Sequence, residues 1–160
     1  MINVFTGGCQ CGAIRFQTTE LFDNARICHC RMCQKAAGNY FAALVSAPKE
    51  ALIWTRGTPA RFRSSADVER GFCSQCGTPL FYDSLKWDEI GLMIGALDDP
   101  AAIKPISQDS IESRMPWFHE IVSIPDKGTS EGIDGPERVE EVRASSKQHP
   151  DHDTDAWPSK

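Results

Sequence analysis

Seven cysteines, spaced as three clusters, constrain this 160-residue chain more than any other feature. Cys9 and Cys11 lie in GGCQCG, Cys28, Cys30 and Cys33 in CHCRMC, and Cys73 and Cys76 in FCSQCG. CxC and CxxC spacings hold two sulfurs on one short loop at the separation a tetrahedral zinc ion needs, with Zn–S bonds of about 2.3 Å. Two such loops complete one site. In both outer clusters a glycine follows the second cysteine, Cys11-Gly12 and Cys76-Gly77. That suits a knuckle that turns through positive φ and aims backbone amides at the thiolates. Pairing the outer clusters gives a closed, structural four-thiolate site at Cys9, Cys11, Cys73 and Cys76. The middle cluster then has three sulfurs and no evident fourth ligand. Cys28, Cys30 and Cys33 are therefore expected to hold a second zinc with an open position, where chemistry takes place.

Two other uses of cysteine rank below zinc. A disulfide framework fits an odd count poorly. The first residues, MINVFTGG, lack a charged region followed by an apolar one, so an oxidising compartment is not implied. The usual ligand runs of iron–sulfur clusters do not match these spacings.

A length of 160 residues and 41% hydrophobic content allow one domain with a modest core that zinc can reinforce. No stretch approaches the roughly 20 apolar residues that span a bilayer, so a cytoplasmic protein is expected. The formal net charge of −5 is unevenly placed. Residues 1–125 carry 12 Lys/Arg against 13 Asp/Glu, and residues 126–160 carry 5 against 9, so the acidity belongs to the tail. A near-neutral body with dispersed arginines lacks the clustered basic face of a nucleic-acid binder. The paired histidines of a C₂H₂ finger are missing too.

Short apolar or alternating runs recur between turn signals: INVF, AIRFQT, NYFAALVS, ALIWT, ARFRSS, PLFYDS and EIGLMIG. They predict a mainly β fold. Helix is scarce. Arg31 to Ala37 is the best candidate, ending at Gly38 as a C′ residue and placing Cys33 on the first turn, where the helix dipole favours a thiolate. Residues 1–125 are expected to form the zinc-binding domain. Beyond Pro125 the composition turns polar, and 126–160 reads as an acidic, partly disordered tail. Within it, Pro136 and Glu137 mark a plausible helix start; Val139 and Val142 offer only a narrow apolar stripe, for which a neighbouring subunit of a homo-oligomer is a candidate partner.

The order GGCQCGAIRF, CHCRMCQKAAG, FCSQCGTPLFY and a late PWF resembles the family of glutathione-dependent formaldehyde-activating enzymes, which also includes centromere protein V. The resemblance covers residues 3 to about 120. It implies a zinc-stapled β-tent fold, a structural zinc on Cys9, Cys11, Cys73 and Cys76, and a second zinc on Cys28, Cys30 and Cys33 that is open to a thiol. It also implies an activity: condensation of glutathione with formaldehyde to S-hydroxymethylglutathione, formally a carbon–sulfur lyase in reverse. The acidic tail lies outside it.

Zinc on three thiolates carries a net charge of −1, which disfavours water activation and suits a fourth thiolate held as a nucleophile. A small-molecule thiol and an aldehyde are thus the expected substrates, with Cys28, Cys30 and Cys33 as the catalytic residues. Glutathione as cosubstrate would bring two carboxylates. Arg31 and Lys35 are the nearest cations in sequence, with Lys35 favoured because QK follows Cys33 in the resemblance. His29 is expected to point away from its neighbouring sulfurs, as a proton relay or as an ordinary surface or hydrogen-bonded histidine. Trp54, Trp117 and Phe118 read as core or cover. His149 and His152 read as a solvated tail. The competing functions are a non-catalytic zinc module that binds a protein or chromatin partner, and a thiol redox sensor.

Overall fold

The computed structural model describes residues 3–156. Ten strands form two sheets. In chain order the elements are β1 (Phe5–Gly8), β2 (Arg15–Thr18), β3 (Arg26–Cys28), α1 (Arg31–Ala37), β4 (Ala42–Pro48), β5 (Leu52–Arg56), β6 (Ala60–Ser65) and β7 (Val68–Phe72). They continue as β8 (Pro79–Ser84), β9 (Glu89–Met93), β10 (Ser107–Asp109), α2 (Ser130–Asp134) and α3 (Pro136–Ser145). The small sheet has the order β1-β2-β5, and the large one β10-β3-β4-β9-β8-β7-β6. All pairings are antiparallel except β10 with β3. The mainly β architecture with little helix is the one the sequence predicts.

The two sheets share one core. Phe16 of β2 and Phe81 of β8 each stack on Trp54 of β5, with ring centroids 5.7 Å apart in both pairs. Val45, Ala47, Leu80, Ile90 and Leu92 fill the space around them. Side chains alternate across a strand, so Ala42 and Leu44 of β4 lie on the far face of the large sheet with Tyr82 of β8. A second, smaller cluster forms there around Cys33.

The first strand is displaced from the expected INVF run, which begins outside the described residues. It is Phe5–Gly8 instead. A Cβ on Gly7 would sit 2.4 Å from the Ala96 carbonyl oxygen and 2.6 Å from the Phe16 ring. The bare backbone at Gly7 lets β1 approach that closely.

α1 matches its predicted span. Gly38 closes it at φ 61°, and its amide donates to the Gln34 and Lys35 carbonyls. Pro136 opens α3 as predicted, and Val142 on that helix is exposed. Residues 157–160 of the expected tail lie outside the described residues. The solvated reading of His149 does not hold: its amide donates to the Gln10 carbonyl at 2.7 Å, and its ring is buried. Arg15 pairs with Asp98 and Asp153, and Arg56 donates to the Thr154 carbonyl, so the segment around His149 is tied to β2 and β5. No helix among the described residues is long and apolar enough to cross a membrane.

Candidate metal centres and active site

Cys9 and Cys11 lie in the turn between β1 and β2, and Cys73 and Cys76 in the turn between β7 and β8. The four sulfurs all lie within 4.8 Å of one another. Cys9 and Cys11 are 3.6 Å apart, and Cys11 and Cys73 3.8 Å. Four ligands at about 2.3 Å around a tetrahedral zinc have edges of about 3.8 Å. The site therefore fits zinc, in geometry and in donor chemistry.

Both turns are built as knuckles. Gly12 and Gly77 adopt φ of 72° and 77°, and their amides close the turns onto the Cys9 and Cys73 carbonyls. The Ile14 amide donates to Cys9 Sγ at 3.2 Å and the Gln75 amide to Cys73 Sγ at 3.4 Å, so each knuckle aims a backbone amide at a sulfur. Burial pushes the Cys9 thiol up to about 12. At Cys76 burial opposes ionisation, and hydrogen bonds from Thr78 and Cys11 together outweigh it, taking that thiol down to about 6. The β1–β2 turn belongs to the small sheet and the β7–β8 turn to the large one, so a shared ion would join the two sheets.

The second cluster sits on the opposite face of the large sheet. Cys28 ends β3, Cys30 caps α1 by accepting from the Cys33 amide at 3.3 Å, and Cys33 lies on the first helical turn. Their three sulfurs also lie within 4.8 Å of one another. In the structure as it stands, a hydrogen bond from Cys33 lowers the Cys28 thiol to about 5, while that same bond and burial raise Cys33. Three thiol donors on one short segment suit a thiophilic ion such as zinc. None of the seven cysteines is joined in a disulfide.

These three sulfurs line a chamber of about 260 Å³ with Arg26, Arg70 and Tyr82. Arg70 of β7 donates to Cys33 Sγ at 3.5 Å, and its guanidinium lies over the Tyr82 ring, 5.3 Å from the centroid. Burial pushes the Tyr82 phenol up, so the hydroxyl keeps its proton. Arg31 and Lys35 are placed elsewhere, in a shallow depression with Gln34, Gly38, Asn39 and Tyr40. The cation that the fold sets against the three sulfurs is Arg70, which sequence proximity does not indicate.

Behind the cluster, His29 is fully buried. Its Nε2 lies 2.9 Å from Gln108 Oε1, and its Nδ1 has no hydrogen-bond partner among the described residues. Phe118 packs against the ring edge-on at 4.7 Å, so the surface-histidine reading gives way to a buried, hydrogen-bonded one. Gln34 is buried beside it and donates to the His29 and Ser113 carbonyls at 2.7 and 3.0 Å, holding the knuckle against the turn that follows β10. Trp117 and Phe118 stack on Tyr40 as cover, and Trp54 is core.

The profile of the family described as glutathione-dependent formaldehyde-activating enzyme matches residues 4–113, a stretch that includes all seven cysteines. The chain belongs to this family. Two relatives agree in kind. A Halomonas elongata protein, named provisionally after the same enzyme, is 29% identical over 93 residues, which cover 52% of this chain and 59% of that protein. An uncharacterized lyase of Schizosaccharomyces pombe is 28% identical over 78 residues, covering 49% and 56%. The chain thus spans under two thirds of the curated relatives it matches. A crystal structure of a Rhodobacter sphaeroides protein shares the fold, with a TM-score of 0.54 and 23% identity over 64% of this chain and 98% of that one. This member carries clustered cysteines that could hold metal ions, in two groups.

Proposed function

We propose that this chain is a zinc-dependent carbon–sulfur lyase that forms or cleaves a thiol–aldehyde adduct such as S-hydroxymethylglutathione. One zinc is structural, on Cys9, Cys11, Cys73 and Cys76; the other is catalytic, on Cys28, Cys30 and Cys33. The observation that carries the reading is the open chamber onto which all three sulfurs of the second cluster face.

Zinc bound by three thiolates supplies a fourth position that keeps an incoming thiol ionised near neutral pH. The remaining work falls to the chain's own residues. In the forward direction the thiol sulfur bonds to the carbonyl carbon, the C=O π bond opens, and the thiol proton ends on oxygen. Arg70 gives that developing oxyanion a fixed positive donor, and Tyr82, protonated in the same chamber, is placed to pass the proton. Arg26, held by Asp109 at 3.2 Å, adds positive charge for a carboxylate of the thiol substrate. Arg31 and Lys35 lie within reach only of a longer thiol that extends over α1. The test is exchange NMR between glutathione, formaldehyde and their adduct, with and without protein. Catalysed exchange that is lost in Cys33→Ser supports the reading; exchange equal in both proteins would leave the zinc-binding module as the better one.

A further inference from the structure

Resting on the thiol–aldehyde reading, we propose that the carbonyl substrate of this protein carries an apolar group of about the size of an aromatic ring. A second cavity, of about 270 Å³, adjoins the chamber that holds the three sulfurs. The two share only Cys33 and Arg70 as lining residues. Beyond that partition the wall is apolar: Ala36, Ala37, Phe62, Phe72, Phe81 and Met93.

The size and chemistry of this annex suit a ring or a chain of several carbons. An apolar cavity of about 150 Å³ already holds benzene, and drug-sized ligands occupy roughly 300–1,000 Å³. Formaldehyde has only hydrogens on its carbonyl carbon and leaves such a wall without a partner. The annex is also built rather than incidental. Gly71 pairs with Phe81 across the β7–β8 ladder, and a Cβ at Gly71 would lie 1.8 Å from the Phe81 ring. The missing side chain lets that ring lie flat over the strand and form the floor. Arg61 covers the same ring from 4.9 Å. Phe62, on the edge strand β6, is 61% exposed at the mouth, where an apolar ligand would cover it.

With R-CHO as substrate, the thiol sulfur bonds to the carbonyl carbon and the thiol proton moves to oxygen, while R lies in the annex. Arg70, which lines both cavities, then lies beside the carbonyl at their junction. No oxidant, reductant or leaving group is needed.

Two measurements on the zinc-loaded protein test this. The first follows binding of 4-fluorobenzyl alcohol, which has the ring and the hydroxyl but cannot form an adduct, by ¹⁹F NMR. The second compares kcat/KM for benzaldehyde and formaldehyde with glutathione by exchange NMR. Ala36 is exposed on α1, so Ala36→Phe fills the annex from outside the core. Phe62→Ala, which removes the mouth, serves as the second variant should the first fail to fold. Binding weakened at least tenfold in either variant, with benzaldehyde preferred at least tenfold by the native protein, is the expected result. A probe that does not bind, or binds all three proteins alike, overturns the annex. So does turnover of formaldehyde with exclusion of benzaldehyde, which leaves the thiol–aldehyde reading intact. Binding that responds to the variants without turnover of any aldehyde supports the annex and overturns the thiol–aldehyde reading instead.

Discussion

Arg70 lies 37 positions along the chain from Cys33, yet its Nη2 donates to the Cys33 sulfur at 3.5 Å. This contact links strand β7 to helix α1 through a side chain and puts a fixed positive charge beside the three-cysteine cluster. Under the proposed mechanism Arg70→Met lowers kcat/KM by about a hundredfold, the scale of losing one oxyanion donor. Zinc content stays unchanged, and Arg70→Lys restores part of the rate as a point charge without the planar fork. Full activity in Arg70→Met would remove Arg70 from the mechanism.

The four-cysteine site predicts a folding phenotype. Its two knuckles belong to different sheets, and Cys9 and Cys73 are buried in the core between them. Cys76→Ser should give insoluble or molten protein, because the binding free energy of a structural zinc is also folding free energy. Circular dichroism in the near ultraviolet reads this directly. A cooperative thermal transition close to that of the native protein would show that the site is not a staple.

Acid should weaken the contact between β2 and the chain after β9. Burial alone would raise the Asp98 carboxyl, but hydrogen bonds from Arg15 and Thr6 outweigh it and hold the group below its usual range. The folded value is thus below the unfolded one of about 3.9. The stability gained is complete above that pH and is lost as pH falls through the folded value. Asp98→Asn should flatten this acid limb in thermal melts. It should also cost roughly 2–3 kcal/mol at neutral pH, somewhat below the loss for a fully buried pair, because Asp153 still pairs with Arg15. An unchanged acid limb would assign it to other carboxylates.

Gly71→Ala tests the packing of Phe81. The added methyl has no room beside the ring, so a loss of about 1–3 kcal/mol is expected in chemical denaturation. A neutral substitution would mean that Phe81 moves aside freely.

What the sequence made legible was local. Gly12 and Gly77 read as knuckle glycines because positive φ is a property of single residues, and α1 read correctly because Gly38 ends it. The strands that were not anticipated, β3, β7 and β10, are short or carry charges, such as Arg70 and Glu69 in VERGF. β10 pairs with β3, far back in the chain, whereas β7 lies between its chain neighbours β6 and β8. Arg70 was missed because its sulfur partner, Cys33, is on α1, and the β7–β8 register that places it over Tyr82 is not written in VERGF itself. The burial of His149 was hidden by the polar composition around it, because its contacts are with Gln10 and Arg56 rather than with an apolar stripe.

The central claim is that Cys28, Cys30 and Cys33 hold a second zinc. Its most direct test is zinc per chain by elemental mass spectrometry, on native protein and Cys33→Ser purified anaerobically without chelator. The account predicts close to two for the native protein and close to one for the variant. A value of one in both, unchanged after zinc is offered back, would contradict it.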